Sequence, residues 1–203
     1  MKFPEKLLKA LNIIRESALN AEENIPEPSE VIKIIDQSKT NYVIIGAHGI
    51  YHHTQKLRAT IDIDIVVSDP PKVTKLISDA WPFLIIKNLE AKISFMQDGH
   101  EVIDLVKPNQ PIFLLALQHH ADGLPTLEMA LVLKFASMIS PNRQMPEKTQ
   151  DAADFKIMTL KNKDKLCLEK LTELAAKAEI YNGAPKEISE LTSNIIDGKP
   201  ISI

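Results

Sequence analysis

One cysteine, six glycines and 5% aromatic residues among 203 positions define what this chain does without. The single cysteine, Cys167, excludes a disulfide framework and points to a reducing compartment. Its setting in "KDKLCLEKL", with Leu166 and Leu171 at helical spacing, reads as a small core residue rather than a nucleophile. So few aromatics leave little material for a base-stacking platform. Lys and Arg number 24 against 27 Asp and Glu, giving a formal net charge of -3. No basic excess therefore marks an extended nucleic acid as a partner. No apolar run reaches the length a bilayer requires, which excludes a membrane partner of the spanning kind. The amphipathic start "MKFPEKLLKALNIIRES" lacks the continuous apolar segment of a secretory signal, and the cytoplasm is the expected location. There is no Gly-x-Ser-x-Gly elbow for a nucleophilic hydrolase. The pairs His52-His53 and His119-His120 lack zinc-like spacing and read as surface or edge residues.

What is present is an ordinary globular composition, 44% hydrophobic and 25% charged, on a chain long enough to bury a core. Apolar spacing predicts a helix over 4–20. A second helix follows over "EVIKIIDQS", with Ser29 as its cap. A strand "NYVIIG" ends at Gly46, a short helix covers 47–56, and "TIDIDIVV" is the next strand. "DPPKVTKLISDA" is a proline-started helix. Strands "PFLIIKN", "KISFMQD" and "HEVIDLV" follow, with Asp98-Gly99 as a hairpin turn. Beyond Gln110 the pattern is helical, near 111–120, 126–139, 147–160, 164–179 and 185–196, with "DGLP" among the linkers. The expected class is α/β (α+β): a small mixed sheet flanked by helices, with a C-terminal helical lobe. The expected division is 1–40 for N-terminal helices on the core, 41–124 for the core, and 125–203 for the lobe.

The chemistry concentrates in "RATIDIDIVVSD". Side chains at i and i+2 of a strand share a face, so Asp62 and Asp64 share one and Ile61, Ile63 and Ile65 the other. Two carboxylates about 6.5–7 Å apart along a strand can converge on one cation. A solvated strand face gives the same alternation. Asp is depleted in strands, however, and like charges on one face repel. Asp104 in "EVIDLV" adds a third carboxylate between apolar residues. Three acidic groups on neighbouring strands call for a cation, and hard oxygen ligands select Mg²⁺ or Mn²⁺. Glu101, three residues before Asp104, is expected on the opposite face.

"IIGAHGIYHH" supplies a strand ending at Gly46, then Ala47, His48 and Gly49, and then a helix. Glycines let backbone approach a ligand, and a helix N-terminus favours anions. Arg58 and Thr60 place a cation and a hydroxyl beside the acidic strand.

Strand, Gly, small residues, helix, then Arg58-x-Thr60-x-Asp62-Ile63-Asp64 resembles the DNA polymerase beta-like nucleotidyltransferase superfamily. It is most similar to small prokaryotic stand-alone members, including toxins of the AbiE type. Relatives also carry a Lys in an apolar helix, an Arg soon after, and Asp-x-x-Asp; here these are Lys134, Arg143, and Asp151 with Asp154. The likeness spans roughly 41–160, with Ala47 standing where the family has Gly or Ser. It implies an Mg²⁺- or Mn²⁺-dependent enzyme that moves a nucleoside monophosphate from an NTP to a hydroxyl of RNA, a protein or a small molecule. Asp62, Asp64 and Asp104 would be catalytic and hold metal. Gly46, Ala47, His48, Gly49, Arg58, Thr60, Lys134 and Asp154 would border the nucleotide. Two alternatives follow: a catalytically weak relative that binds a nucleotide or a protein partner, and a glycosyltransferase, where Asp-x-Asp also recurs.

Overall fold

The structure is a computed structural model that describes residues 5–16, 25–56 and 59–200. Helices α1 (Glu5–Glu16) and α2 (Pro28–Ser38) lead into strand β1 (Tyr42–Ile44), helix α3 (Gly46–Thr54) and strand β2 (Ile63–Val67). Helix α4 (Pro70–Ala80) precedes three strands, β3 (Ile85–Asn88), β4 (Lys92–Gln97) and β5 (His100–Val106). A short helix α5 (Pro111–Ala116) and a ribbon of β6 (His120–Ala121) and β7 (Leu124–Pro125) follow. Helices α6 (Leu127–Ile139), α7 (Met145–Asn162), α8 (Leu168–Lys177) and α9 (Ala184–Ile196) complete the chain. No helix among the described residues is long and apolar enough to cross a membrane.

The sheet has the order β1-β2-β5-β4-β3 and is mixed, because β2 and β5 run parallel while the other pairs are antiparallel. This is the mixed α/β class the sequence predicts. Its two faces divide the work. Ile63, Ile65 and Val67 of β2 and Ile103 and Leu105 of β5 are fully buried with Leu11 of α1, Ile32 and Ile35 of α2, and Val73 and Ile77 of α4. Each such side chain contributes about 1.5–3 kcal/mol through removal from water. On the other face, Val66 and Val106 join Val43 in a second cluster with Phe135 of α6 and Phe155 and Met158 of α7. Asp64 and Asp104 therefore occupy the face that seats the C-terminal helices, two residues before the valines that anchor those helices.

Several local expectations change. Ser29 does not cap α2, because Pro28 is pre-set for the first helical turn and starts the helix earlier, at N-cap Glu27. Glu30 reaches back to the Glu27 N–H at 3.4 Å. Ser29 instead ties the helix to α1, accepting from and donating to the Asn12 amide at 3.1 and 3.0 Å. The helix expected over 111–120 ends at Ala116, and "DGLP" is no linker but the turn and second strand of the β6–β7 ribbon. Asp122 and Gly123 carry the left-handed backbone that such a turn needs. The ribbon is pinned to the main sheet, since the Ile44 N–H donates to the Gly123 carbonyl at 2.8 Å. Cys167 is exposed rather than in the core. A turn over 163–165 delays α8 to Leu168, leaving Cys167 at its N-cap, where its N–H donates to Glu128 at 3.2 Å. The Asp98-Gly99 hairpin turn is as predicted, with both residues at positive φ.

Candidate active site

β2 and β5 are neighbours, and their parallel register sets Asp64 directly beside Asp104. Asp62 lies one residue before β2 rather than within it. It still joins the group: Asp62, Asp64 and Asp104 each offer a carboxylate oxygen, and these oxygens lie within 4.8 Å of one another. The Thr60 hydroxyl donates to Asp62 Oδ1 and fixes that carboxylate. Gly46 presses against Asp64. Its backbone has φ +64°, and a Cβ placed there would sit 2.1 Å from Asp64 Oδ2. Only glycine accepts both the conformation and the approach. Gly49 serves a different contact, since a Cβ would meet the Ile44 carbonyl at 2.3 Å, so its bareness lets α3 pack on β1.

The electrostatics follow from burial. Asp64 is pushed up to about 7 by desolvation first and then by Asp62 and Asp104, against the pull of Lys92 and Lys134. Asp104, 2% exposed, is also raised by burial, partly offset by the hydrogen bond from Lys92 and by the nearby Ser94 hydroxyl. Its Oδ1 is buried with no hydrogen-bond partner. An orphaned carboxylate oxygen among three acidic groups fits a hard divalent cation. Asp62, Asp64 and Asp104 are thus the residues that can hold one.

Glu101 overturns the expectation that it faces away. The register of β4 against β5 slips between Phe95 and Met96, so Ser94 pairs with Asp104 but Met96 pairs with Glu101. Val102 is the extra residue, and it packs in the same apolar cluster as Ile103. This bulge resets the phase of β5 and brings Glu101 to the face of Asp104. Lys92 Nζ then bonds both carboxylates, at 2.6 Å to Glu101 and 2.6 Å to Asp104. Arg15 of α1, 3% exposed, donates to the bulge carbonyl of Val102 at 2.6 Å and to that of Pro26. Burial lowers its pKa to about 10, opposed by the nearby charges of Asp62 and Glu27.

A cleft of about 360 Å³ lies between the sheet and α6, in the range of small-ligand sites. Gly46, Gly49, Asp64, Lys92 and Asp104 line its sheet side, and Lys134, Ser137, Ser140 and Arg143 its helical side. Phe113 and Ile112 form part of an apolar end. Lys134 is nearly buried and bonds Asp151 at 2.7 Å and Asp154 at 2.9 Å. Arg143, half exposed, bonds the second Asp151 oxygen at 2.9 Å. Asp154 thus stands behind Lys134 rather than on the cleft wall. Ala47 and His48 are buried in the first turn of α3 and are not among the described residues that line the cleft. Arg58 lies outside the described residues. Sequence reading missed Lys92. Its signal was the alternation Lys92, Ser94, Met96 in a strand paired with "HEVIDLV", which places a cation opposite the acidic face.

No protein-family model matches the chain, and no curated protein matches it either. Solved structures of similar fold include JHP933 from Helicobacter pylori, at 12% identity, with 97% of this chain and 94% of that one covered and a TM-score of 0.50. They also include the antibiotic-resistance factor ANT(2'')-Ia, at 14% identity, 72% and 85% coverage and a TM-score of 0.49. Terminal uridylyl transferase 4 from Trypanosoma brucei with bound CTP is similar at 11% identity, 97% and 65% coverage and a TM-score of 0.37. The JHP933 likeness is one of fold, and it spans both the sheet and the C-terminal helices.

Proposed function

We propose that this chain is a metal-dependent nucleotidyltransferase, moving a nucleoside monophosphate from an NTP to a hydroxyl of an acceptor. The observation that carries the reading is the orphaned Asp104 Oδ1 beside Asp62 and Asp64, at the cleft and next to the Gly46 turn. These three carboxylates would hold Mg²⁺ or Mn²⁺, which when bound supplies positive charge against the triphosphate and the reacting oxygens. Thr60 keeps Asp62 turned to its role. The N-terminal end of α3, at Gly46, Ala47 and His48, carries the positive end of a helix dipole and suits phosphate. Gly46 gives that end its close approach to Asp64.

Lys134 and Arg143 place cations on the opposite wall, with Asp151 and Asp154 holding Lys134 in one orientation. In the reaction the acceptor oxygen bonds to the α-phosphorus and the bridging bond to the β-phosphate breaks, releasing pyrophosphate. Asp104, holding metal through Oδ1, would help activate the acceptor hydroxyl, whose proton passes to water as the new bond forms. Arg58 belongs to this reading on sequence grounds.

The rival reading, a catalytically weak nucleotide binder, rests on Ala47. The Ala47 side chain is buried and not on the cleft wall, so its missing hydroxyl weighs little against turnover. The test is incubation with each of the four NTPs, Mn²⁺ and a mixed pool of RNA and protein acceptors, reading pyrophosphate release and label transfer. Wild type releases pyrophosphate, and Asp62→Asn and Asp64→Asn lower the rate at least about 100-fold, the scale on which loss of a charge-stabilising group acts. Equal turnover in the variants and wild type refutes the assignment.

A further inference from the structure

Lys92 is the one cation among the described residues that bonds a member of the carboxylate cluster directly. It is only about a quarter exposed, and it takes a single oxygen, Oδ2, of Asp104. Oδ1 of the same carboxylate stays buried and without a partner. The second carboxylate on Lys92, Glu101, is there because the bulge at Val102 turns it to this face. Glu101 also accepts from the Ser94 hydroxyl at 3.3 Å, and Ser94 is the cross-strand neighbour of Asp104. Both contacts are short ion pairs, at 2.6 Å to Asp104 and 2.6 Å to Glu101. A lysine held by two carboxylates on paired strands loses most of its rotamer freedom, so its charge is fixed rather than roaming.

We infer that Lys92 is a tethered counter-cation of the metal-binding cluster: it occupies Oδ2 of Asp104, leaves Oδ1 as the ligand atom, and stands in for divalent charge while no ion is bound. The inference rests on the proposed role of Asp62, Asp64 and Asp104. Its physical content is a competition. Three carboxylates within 4.8 Å repel strongly without a cation. A fixed ammonium relieves part of that repulsion, and it also opposes an incoming divalent ion. Lys92 therefore sets the ion's affinity at a moderate value, so that occupancy depends on the ion arriving with an anionic ligand that offsets the lysine. A lysine that merely aligned Asp104 for the ion would act in the opposite direction, since its loss would weaken binding.

The deciding measurement is Mn²⁺ titration of the full chain, by calorimetry and by the loss of the free-ion paramagnetic signal, at a fixed alkaline pH without nucleotide. Wild type, Lys92→Met, Lys92→Gln, Lys92→Arg, Glu101→Gln and Asp64→Asn are compared, with circular dichroism to confirm folding. Lys92→Met is expected to bind Mn²⁺ about tenfold more tightly, from the Coulomb repulsion of a unit charge near a divalent ion. Lys92→Arg keeps the charge and should stay within about twofold of wild type. Glu101→Gln removes a nearby negative charge and should bind several-fold more weakly, whereas Lys92→Gln, like Lys92→Met, should bind more tightly and supplies the test if Lys92→Met does not fold. Equal or weaker Mn²⁺ affinity in Lys92→Met, with Asp64→Asn abolishing binding, overturns the counter-cation role and leaves the metal site standing. Wild-type affinity in Asp64→Asn, or no Mn²⁺ binding by any of the proteins, overturns the metal site and the inference together.

Discussion

Replacing Asp64 with Asn should make the metal-free protein more stable while removing its metal response. Asp64 lies against Asp62 and Asp104, and burial with those neighbours lifts it from an ordinary 3.8 to about 7. A raised carboxyl means the folded state holds its proton after the unfolded chain has released it. Stability is then unaffected below about pH 4, falls as pH rises through the interval up to about 7, and stays at its lowest above that. At full strength the displacement corresponds to about 4 kcal/mol. Partial solvent contact at the cleft screens it, and about 2 kcal/mol is the working figure. For a chain of this size that is roughly 4–8 °C in melting temperature. Asn keeps the shape and carries no charge. Thermal unfolding with chelator present at about pH 8 should therefore show Asp64→Asn above wild type by that margin. At about pH 5 the gap should shrink to less than half. Adding Mn²⁺ should raise wild type and leave the variant almost unmoved. A variant no more stable than wild type at the higher pH, or a gap independent of pH, refutes the claim that like-charge crowding defines this site.

Two further substitutions test the framework around it. Gly46→Ala puts a methyl 2.1 Å from Asp64 Oδ2 on a backbone that L residues rarely adopt, so it should cost about 1–3 kcal/mol by urea unfolding. It should also weaken Mn²⁺ binding, and unchanged affinity would show that Asp64 does not need this contact. Lys134→Met removes the shared cation of two buried carboxylates, Asp151 and Asp154. It should cost about 3–5 kcal/mol, and a loss under about 1 kcal/mol would mean that water or Arg143 already satisfies the pair.

Much of this arrangement was legible in the sequence because it follows from periodicity. Alternation in "IDIDIVV" and "EVIDLV" assigns one face of each strand to the core, and the buried isoleucines take that side. The proline at α4 and the Asp98-Gly99 turn act through backbone geometry alone, and both behave as read. What was hidden depends on register and on distance along the chain. Nothing local says that β5 returns parallel beside β2, which is what sets Asp64 against Asp104. A bulge is a choice made between two strands, so strict alternation put Glu101 on the wrong side. Nothing local sets Lys92 and Arg15 apart from the other charges of an amphipathic strand and helix, because their partners lie on the paired strand β5. Cys167 failed for the opposite reason, because its leucine neighbours suggested a helix interior where a turn intervenes.

The single extra residue in β5 makes strand register, rather than residue type, the variable that sets which side chain stands beside Lys92. Were β5 to pair without the bulge, Val102 would stand opposite Met96 in place of Glu101, and an isopropyl group would replace the carboxylate beside Lys92 with no change of sequence.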